Sequence, residues 1–473
     1  MLSHWINGRG IPEPGEALEI VDPATEAVVE LLPRGSADLA DAAVEAAAKA
    51  GPAWAALSPA ERRNLLLPAV EKLVALRQDV AALITREMGK PLSQALAEVG
   101  TATDVARQFC DLAVHLRSGS QMAALGELNF QQRVPRGVCA CILPWNFPAV
   151  VAMENVVPNL LVGNTVVWKP SEKSPLSARF LAEHVFGHLP PGVLNLALGD
   201  GANMGERLIS HSDVDLIVFI GSERTGRHIA EVAARSFKKV ILELGGKDPL
   251  IVDETVDIGR AARLAAEATF YNAGQICTST ERLFIARQVF EPFVDELVRA
   301  SRALRIGNGM EDGVDIGPLV DRRQLDIVSA QVTHATEAGA RVLSGGERHG
   351  NRGFFYPATV LVDVPHDASV VVEETFGPVA PCIPFDDFGE ALALANGSRY
   401  GLAAIVCTAS APRALKALHT LDAGMIRINT MRGKAAGGTS EPFGSSGMGH
   451  GYGLEFLMEL TRQKSIFWRG EPR

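Results

Sequence analysis

The chain has 473 residues, 47% hydrophobic and 21% charged, with 45 Lys and Arg against 55 Asp and Glu. At roughly 150 residues per domain that length suggests about three domains, and the spread of apolar residues argues against disorder. A net charge of −10 argues against a protein that grips nucleic-acid phosphates.

Met1 to Gly10 lacks an apolar stretch, so no signal peptide is expected. Ser58-Pro59-Ala60-Glu61 is a capping box with proline at the first helical position. It predicts one long amphipathic helix through Leu65, Val70, Leu73 and Leu76 toward Met88. Val138 to Leu143 reads as a buried strand. The most membrane-like stretch, Pro148 to Trp168, carries Glu154, Asn155, Asn159, Asn164 and an internal Pro158, too polar for a span. Within it Thr165 to Trp168 is a second strand, and Ser174-Pro175 opens a helix toward Phe186. Val193 to Leu198, Leu216 to Ile220 and Val240 to Leu244 are further strands, and a helix starts after Asp257. This alternation predicts an α/β fold with a parallel, doubly wound sheet.

Six cysteines lie at positions 110, 139, 141, 277, 382 and 407. None forms a C-x-x-C metal pair, so no metal site is read, and their sparseness suits a reducing cytoplasm. Five lie in or beside apolar runs and read as small buried hydrophobes. Cys277 instead lies in Asn272-Ala273-Gly274-Gln275-Ile276-Cys277-Thr278, a polar loop just past a predicted helix. There it can be exposed as a nucleophile, given a base or positive potential nearby.

Other segments carry candidate chemistry. Glu243, at a strand end before Gly245-Gly246, can project into a cleft as a general base or remain a solvated carboxylate. In Pro144-Trp145-Asn146-Phe147-Pro148 the prolines and aromatics fix the loop, and the Asn146 amide can donate to a developing oxyanion. Gly221-Ser222-Glu223-Arg224-Thr225-Gly226, between strand and helix, can present backbone N–H groups to a pyrophosphate. Gly199 to Gly205 has one residue too many for a dinucleotide fingerprint and reads as a plain loop. Lys169 and Glu172 lie beyond the carboxyl end of another strand, the edge where α/β sheets bind ligands.

Taken in order, these segments resemble the NAD(P)-dependent aldehyde dehydrogenase superfamily. The resemblance adds Glu373-Glu374-Thr375-Phe376-Gly377-Pro378 and Pro442-Phe443-Gly444, and spans nearly the whole chain. It implies that Cys277 attacks the aldehyde and that Asn146, with the Cys277 backbone N–H, holds the oxyanion. It implies Glu243 as the base that activates water. Lys169 and Glu172 would hold the adenine-side ribose, Gly221 and Ser222 the pyrophosphate, and Glu374, with Phe376 beside it, the nicotinamide ribose. The cofactor is expected to be NAD, because the carboxylate of Glu172 disfavours a 2′-phosphate, with NADP possible because Lys169 and Arg224 could offset that repulsion. The substrate is a small-molecule aldehyde; no nucleic-acid or membrane partner is expected.

The resemblance also implies architecture. A Rossmann-like cofactor domain covers residues 1–245, interrupted by an arm hairpin at about 121–137. A catalytic α/β domain covers 246–430. Residues 431–473 return to a small β oligomerisation arm, with Leu128 to Val134 and Gln463 to Trp468 as its strands, giving a homodimer or homotetramer. Val151, Glu154, Tyr271, Ile276 and Thr278 should line the aldehyde tunnel. The cationic residue that some semialdehyde dehydrogenases place near Glu154 is absent, though Arg432 and Lys434 could supply charge. A basic residue usual in the C-terminal motif is missing from Gly444 to His450. Three other functions remain: a CoA-acylating dehydrogenase, disfavoured by Glu243; a cysteine hydrolase without nucleotide, which leaves Lys169, Glu172 and Glu374 without purpose; and a non-catalytic protein on the same fold.

Overall fold

A computed structural model describes residues 1–116, 120–121, 127–431, 433 and 438–469. Arg432, Lys434 and residues 122–126 of the expected arm lie outside the described residues. The alternating segments build two mainly parallel sheets. In the first, the parallel strands run in space Leu194–Leu196, Thr165–Lys169, Val138–Ile142, Val214–Ile220, Lys239–Glu243. In chain order that is third, second, first, fourth, fifth, the doubly wound arrangement with its switch point beside Val138–Ile142. Antiparallel strands extend both sides: His4–Ile6 and then Arg9–Ile11 on one, Gly447–Met448 on the other. The second sheet is ordered Arg341–Ser344, Thr359–Val362, Val379–Phe385, Thr280–Ala286, Asp248–Val252, Ala403–Cys407, Met425–Ile428 and is parallel except at its first strand.

The strands lie close to their expected positions because both faces are covered, so their apolar runs are continuous rather than alternating. Thr165–Lys169 is buried at every position. The helix Pro148–Val162 explains the membrane-like stretch: thirteen of its residues are buried inside the protein. Its polar residues are satisfied locally, since Asn155 and Asn159 donate to the carbonyls of Val151 and Asn155 at 2.8 and 2.9 Å. Asn164 accepts from Arg136 and Gly137 and donates to Asn159 and Leu460. Among the described residues, no helix is long and apolar enough to cross a membrane.

Two expectations need correction. The helix opened by Ser58 keeps its capping box but ends at Ala75, and a separate helix runs Arg77–Met88. Leu76 between them leaves the helical region at φ −96°, ψ 14°. The apolar spacing continues across the break, which is why the pattern alone reads as one helix. The helix opened by Pro175 is regular only to Phe180 and widens into a π turn over Leu181–Val185.

The two segments expected as arm strands form a small sheet of their own. Thr461–Arg469 runs antiparallel to Glu127–Pro135 along their whole lengths, with Ser120–Gln121 on the far side. Leu128, Phe467 and Trp468 on this small sheet are 60%, 77% and 64% exposed.

Candidate active site

The loops at the carboxyl ends of the first sheet meet the start of the second sheet. Cys277 lies where they meet. The helix Ile258–Phe270, capped by Asp257, is followed by Asn272, Ala273 and Gly274, all with positive φ (54°, 54° and 72°). Three successive left-handed residues reverse the chain sharply, and two of them lack the glycine that makes this easy. Hydrogen bonds hold the reversal: Asn272 Nδ2 donates to the Gln275 carbonyl at 3.1 Å, and Gln275 Nε2 donates to the Asn272 carbonyl at 3.1 Å. Gln275 Oε1 accepts from Val320 N at 2.9 Å. The thiol of Cys277 is delivered from this brace. It is the one cysteine of the six that is not fully buried, and none of the six is in a disulfide.

Asn146 is tied to the same brace. Its Nδ2 donates to the Gln275 carbonyl at 3.0 Å. Its own carbonyl accepts from Lys90 Nζ at 2.7 Å and Asn272 Nδ2 at 3.3 Å. Lys90 is fully buried, paired with the buried Glu98 and stacked 3.5 Å above the Phe147 ring. The sequence-expected donor is thus rigid, with one N–H committed to Gln275 and a second left over, since an amide nitrogen carries two.

Glu243 ends its strand beside Gly447, and a Cβ on Gly451 would collide with its carboxylate. This places the altered C-terminal segment against Glu243. Burial pushes the Cys277 thiol up to about 12, and the Glu243, Asp248, Glu374 and Glu154 carboxylates add to the rise, Glu243 first among them. Thiol and carboxylate are therefore electrostatic neighbours. Glu154 lies one turn beyond Val151 on the buried helix, and Tyr271, Ile276 and Thr278 flank the thiol in sequence.

The other candidate residues follow the carboxyl ends of the first sheet's strands. Glu374 lies over the glycines after Glu243: Gly246 N donates to its Oε1 at 3.3 Å, and a Cβ on Gly245 would come within 2.5 Å of its Oε2. Burial, with the Glu281 carboxylate nearby, pushes the Glu374 carboxyl up to about 8. Phe376 has φ 50° and packs edge-on against Trp145, ring centroids 5.5 Å apart. Ser222 caps the helix Glu223–Ala234, accepting from Thr225 N at 3.4 Å, and Gly221 N donates to the Glu243 carbonyl at 3.1 Å. Lys169 Nζ is buried, donates to the Pro170 carbonyl at 2.9 Å and lies 3.9 Å from Glu172 Oε2. Burial lowers the Lys169 ammonium, opposed by Glu172 and Asp200. Glu172 is not the cap of the next helix. Glu87 takes that place, accepting from Leu176 N at 2.6 Å and Ser177 N at 3.1 Å.

Sequence reasoning missed the supports. Lys247 Nζ donates to Glu281 Oε2 at 2.6 Å and Thr375 Oγ1 at 2.9 Å. Glu281 also accepts from Thr375 N and Phe376 N at 2.7 and 2.8 Å. This buried pair clamps the strap that carries Glu374. Asn272 and Gln275 stood inside the quoted Cys277 loop, and Lys247 directly follows Gly245-Gly246, but nothing local marked them as braces.

The family model described as the aldehyde dehydrogenase family matches residues 11–466. The chain belongs to the aldehyde dehydrogenase family. An aldehyde dehydrogenase of Leishmania tarentolae, described as mitochondrial, is 37% identical over 98% of this chain and 93% of its own. A succinate-semialdehyde dehydrogenase [NADP(+)] of Escherichia coli is 36% identical over 96% of each. Lactaldehyde dehydrogenase from Escherichia coli superposes with a TM-score of 0.96 at 35% identity, covering 99% of both chains. The structure of PnpE in complex with nicotinamide adenine dinucleotide superposes with a TM-score of 0.97 at 33% identity, covering 100% of this chain and 98% of that one. The family oxidises aldehydes and uses NAD(P).

Proposed function

We propose that this member oxidises an aldehyde to the carboxylic acid with NAD+, through an acyl group held on Cys277. The observation that carries the reading is the convergence on one thiol of Glu243, its foremost charged neighbour, and Asn146, hydrogen-bonded to the carbonyl two residues before it. The residues suit the cofactor: the close packing of Glu374 on Gly245 and Gly246 sets a carboxylate beyond the end of the Glu243 strand, and Ser222 opens a helix whose N-terminal N–H groups suit a pyrophosphate. Gly221 and Ser222 would hold the pyrophosphate, Lys169 and Glu172 the adenine-side ribose, and Glu374 with Phe376 the nicotinamide ribose. When bound, NAD+ supplies the hydride acceptor.

The chain's own residues do the rest. The Cys277 thiol gives up its proton as sulfur bonds to the carbonyl carbon, and Glu243 can receive that proton. The free N–H of Asn146 and the backbone N–H of Cys277 hold the resulting oxyanion. Oxidation leaves a thioester on Cys277. Glu243, having released that first proton to solvent, then takes a proton from water, whose oxygen bonds to the acyl carbon as the C–S bond breaks, and passes it to the departing sulfur. The carboxylic acid leaves and the thiol is restored. A base in this place makes water the acyl acceptor, so the enzyme is non-acylating toward CoA. On this reading residues 1–245 bind cofactor, 246–430 present the thiol, and 431–473 return to an arm that joins two or four copies. A reducing cytoplasm keeps Cys277 available.

The test is pre-steady-state. Glu243→Gln is expected to keep a burst of about one NADH per site and to lose roughly 10²–10⁴-fold in steady turnover. Cys277→Ala is expected to abolish both, whereas Cys139→Ala, Cys141→Ala and Cys382→Ala keep them. Normal turnover in Cys277→Ala overturns the mechanism. If burst and turnover fall together in Glu243→Gln, its first task is at the thiol.

A further inference from the structure

The amino ends of the first sheet's strands gather positive charge, although the chain as a whole is at −10. Val138, Val214 and Lys239 begin three neighbouring strands there. The strand Lys239–Glu243 starts at this end and finishes at the candidate active site, so the two ends are a full strand apart. Arg462, on the arm strand Thr461–Arg469, reaches in from the side. Between them lies a recess of about 290 Å³, lined chiefly by Arg136, Asp215, Phe237, Lys238, Lys239 and Arg462.

The cations outnumber their partners. Arg462 Nη2 donates to the Arg136 carbonyl at 2.6 Å and to Asp215 Oδ1 at 2.7 Å. Lys239 Nζ donates to Glu459 Oε1 at 3.0 Å. Lys238 Nζ donates to the His211 and Val214 carbonyls and, among the described residues, forms no ion pair. Arg136 Nε donates to the Glu459 carbonyl at 2.7 Å, which fixes the guanidinium, while its Nη1 and Nη2 meet no acceptor among the described residues. Two carboxylates, Asp215 and Glu459, thus face four cations. Burial and the Arg462 guanidinium hold the Arg136 guanidinium below its usual range, as expected for like charges held close together.

The lip of the recess is built at a cost. The helix Glu223–Ala234 closes with Lys238 N donating to the Ala233 carbonyl at 3.1 Å and Phe237 N to the Ala234 carbonyl at 3.4 Å. The left-handed position in such a closure usually belongs to glycine. Here it is Phe237, at φ 55° and 96% exposed. The aromatic ring strains the backbone and buries nothing in return.

We propose that this recess is a second ligand site, which takes the phosphate chain of a nucleoside diphosphate between Arg136, Lys239 and Arg462 and stacks its base on Phe237. The site stands independently of the proposed oxidation. A terminal phosphate brings about two negative charges and three acceptor oxygens, and guanidinium groups take such oxygens in pairs. An exposed ring offers a base a stacking face.

The test is calorimetric titration of the full-length protein with pyrophosphate and with ADP, without magnesium and in excess NAD+. The NAD+ fills the cofactor site and, carrying its phosphates as diesters, lacks the doubly charged terminal group. One pyrophosphate per chain is expected, bound more weakly as salt is raised, and ADP should bind roughly tenfold more tightly. Arg136→Gln is expected to weaken both roughly 10–100-fold without changing turnover. Phe237→Gly is expected to remove only the advantage of ADP, and to raise the melting temperature by relieving the left-handed backbone. No binding, binding seen only without NAD+, or binding indifferent to Arg136→Gln overturns the site. Equal affinities for the two ligands, unchanged in Phe237→Gly, overturn the nucleoside and leave the free phosphate chain as the ligand. Should Arg136→Gln fail to fold, Lys239→Gln decides, and an unchanged affinity there overturns the site. Because heat of binding is read, these outcomes hold whether or not any aldehyde is oxidised.

Discussion

Cys277 is a thiol among carboxylates, and burial with those charges raises its pKa to about 12. In cofactor-free protein its alkylation rate should therefore keep climbing beyond pH 9, because the thiolate fraction grows until pH passes the pKa. An ordinary cysteine levels off once pH exceeds about 8.5. Iodoacetamide labelling followed by mass spectrometry reads this directly, and a plateau below pH 9 would show a thiolate stabilised in the free enzyme. Asn146→Ala should slow hydride transfer on the order of 10²–10³-fold with little change in cofactor affinity, measured by single-turnover absorbance; a large affinity loss would mark its loop as structural. Glu172 is half-exposed beside Lys169, and Glu87 rather than Glu172 caps the next helix, so on the proposed reading its carboxylate is left to meet the adenine-side ribose. A 2′-phosphate about 4 Å from its carboxylate costs on the order of a few kcal/mol. NAD should be preferred over NADP in kcat/KM, and Glu172→Gln should narrow the gap. Equal use of NADP by the wild type would mean that Glu172 faces away from the ribose.

At the scale of elements, the strap Glu373 to Pro378 shows how a loop is made rigid. Phe376 holds a left-handed backbone unusual for an aromatic residue, and Glu281 receives the N–H groups of Thr375 and Phe376 while Lys247 neutralises it. Gln324 Nε2 donates to the Thr375 and Phe376 carbonyls at 2.9 and 3.1 Å. Removing one partner of a buried ion pair typically costs about 3–5 kcal/mol. Glu281→Gln should lower the melting temperature and raise the KM for cofactor more than it changes kcat; an unchanged cofactor KM would separate the strap from cofactor binding. Such supports explain what the sequence could and could not reveal. The strands, the Ser58 capping box and the burial of five cysteines follow from local pattern and were legible. The Lys247–Glu281 clamp joins residues 34 apart, and the Glu87 cap serves a helix 89 residues downstream. Neither leaves a periodic or turn-like mark. The break at Leu76 was invisible for the opposite reason: the apolar period continues through it.

At the scale of the molecule, the arm sheet carries Leu128, Phe467 and Trp468 largely exposed on a free-standing ribbon of strands. Small sheets of this kind are seldom stable without cover. Size-exclusion chromatography with light scattering should find two or four copies, and paired Phe467→Asp and Trp468→Asp changes should shift the population toward monomer; an unshifted profile would place the contact elsewhere. The tail also does something nearer the thiol. Gly447 and Met448 supply the last neighbour of the strand that ends in Glu243, and Gly451 lies against its carboxylate. On a ribosome, that strand emerges about 200 residues before its partner, which at roughly 5–20 residues per second is a wait on the order of ten seconds or more. Through that interval the first sheet has an open edge, exposed to pairing with the wrong chain. On the proposed mechanism Cys277, made in between, meets a fully walled Glu243 only when synthesis is nearly done, so a truncated polypeptide would be both aggregation-prone and without its completed base.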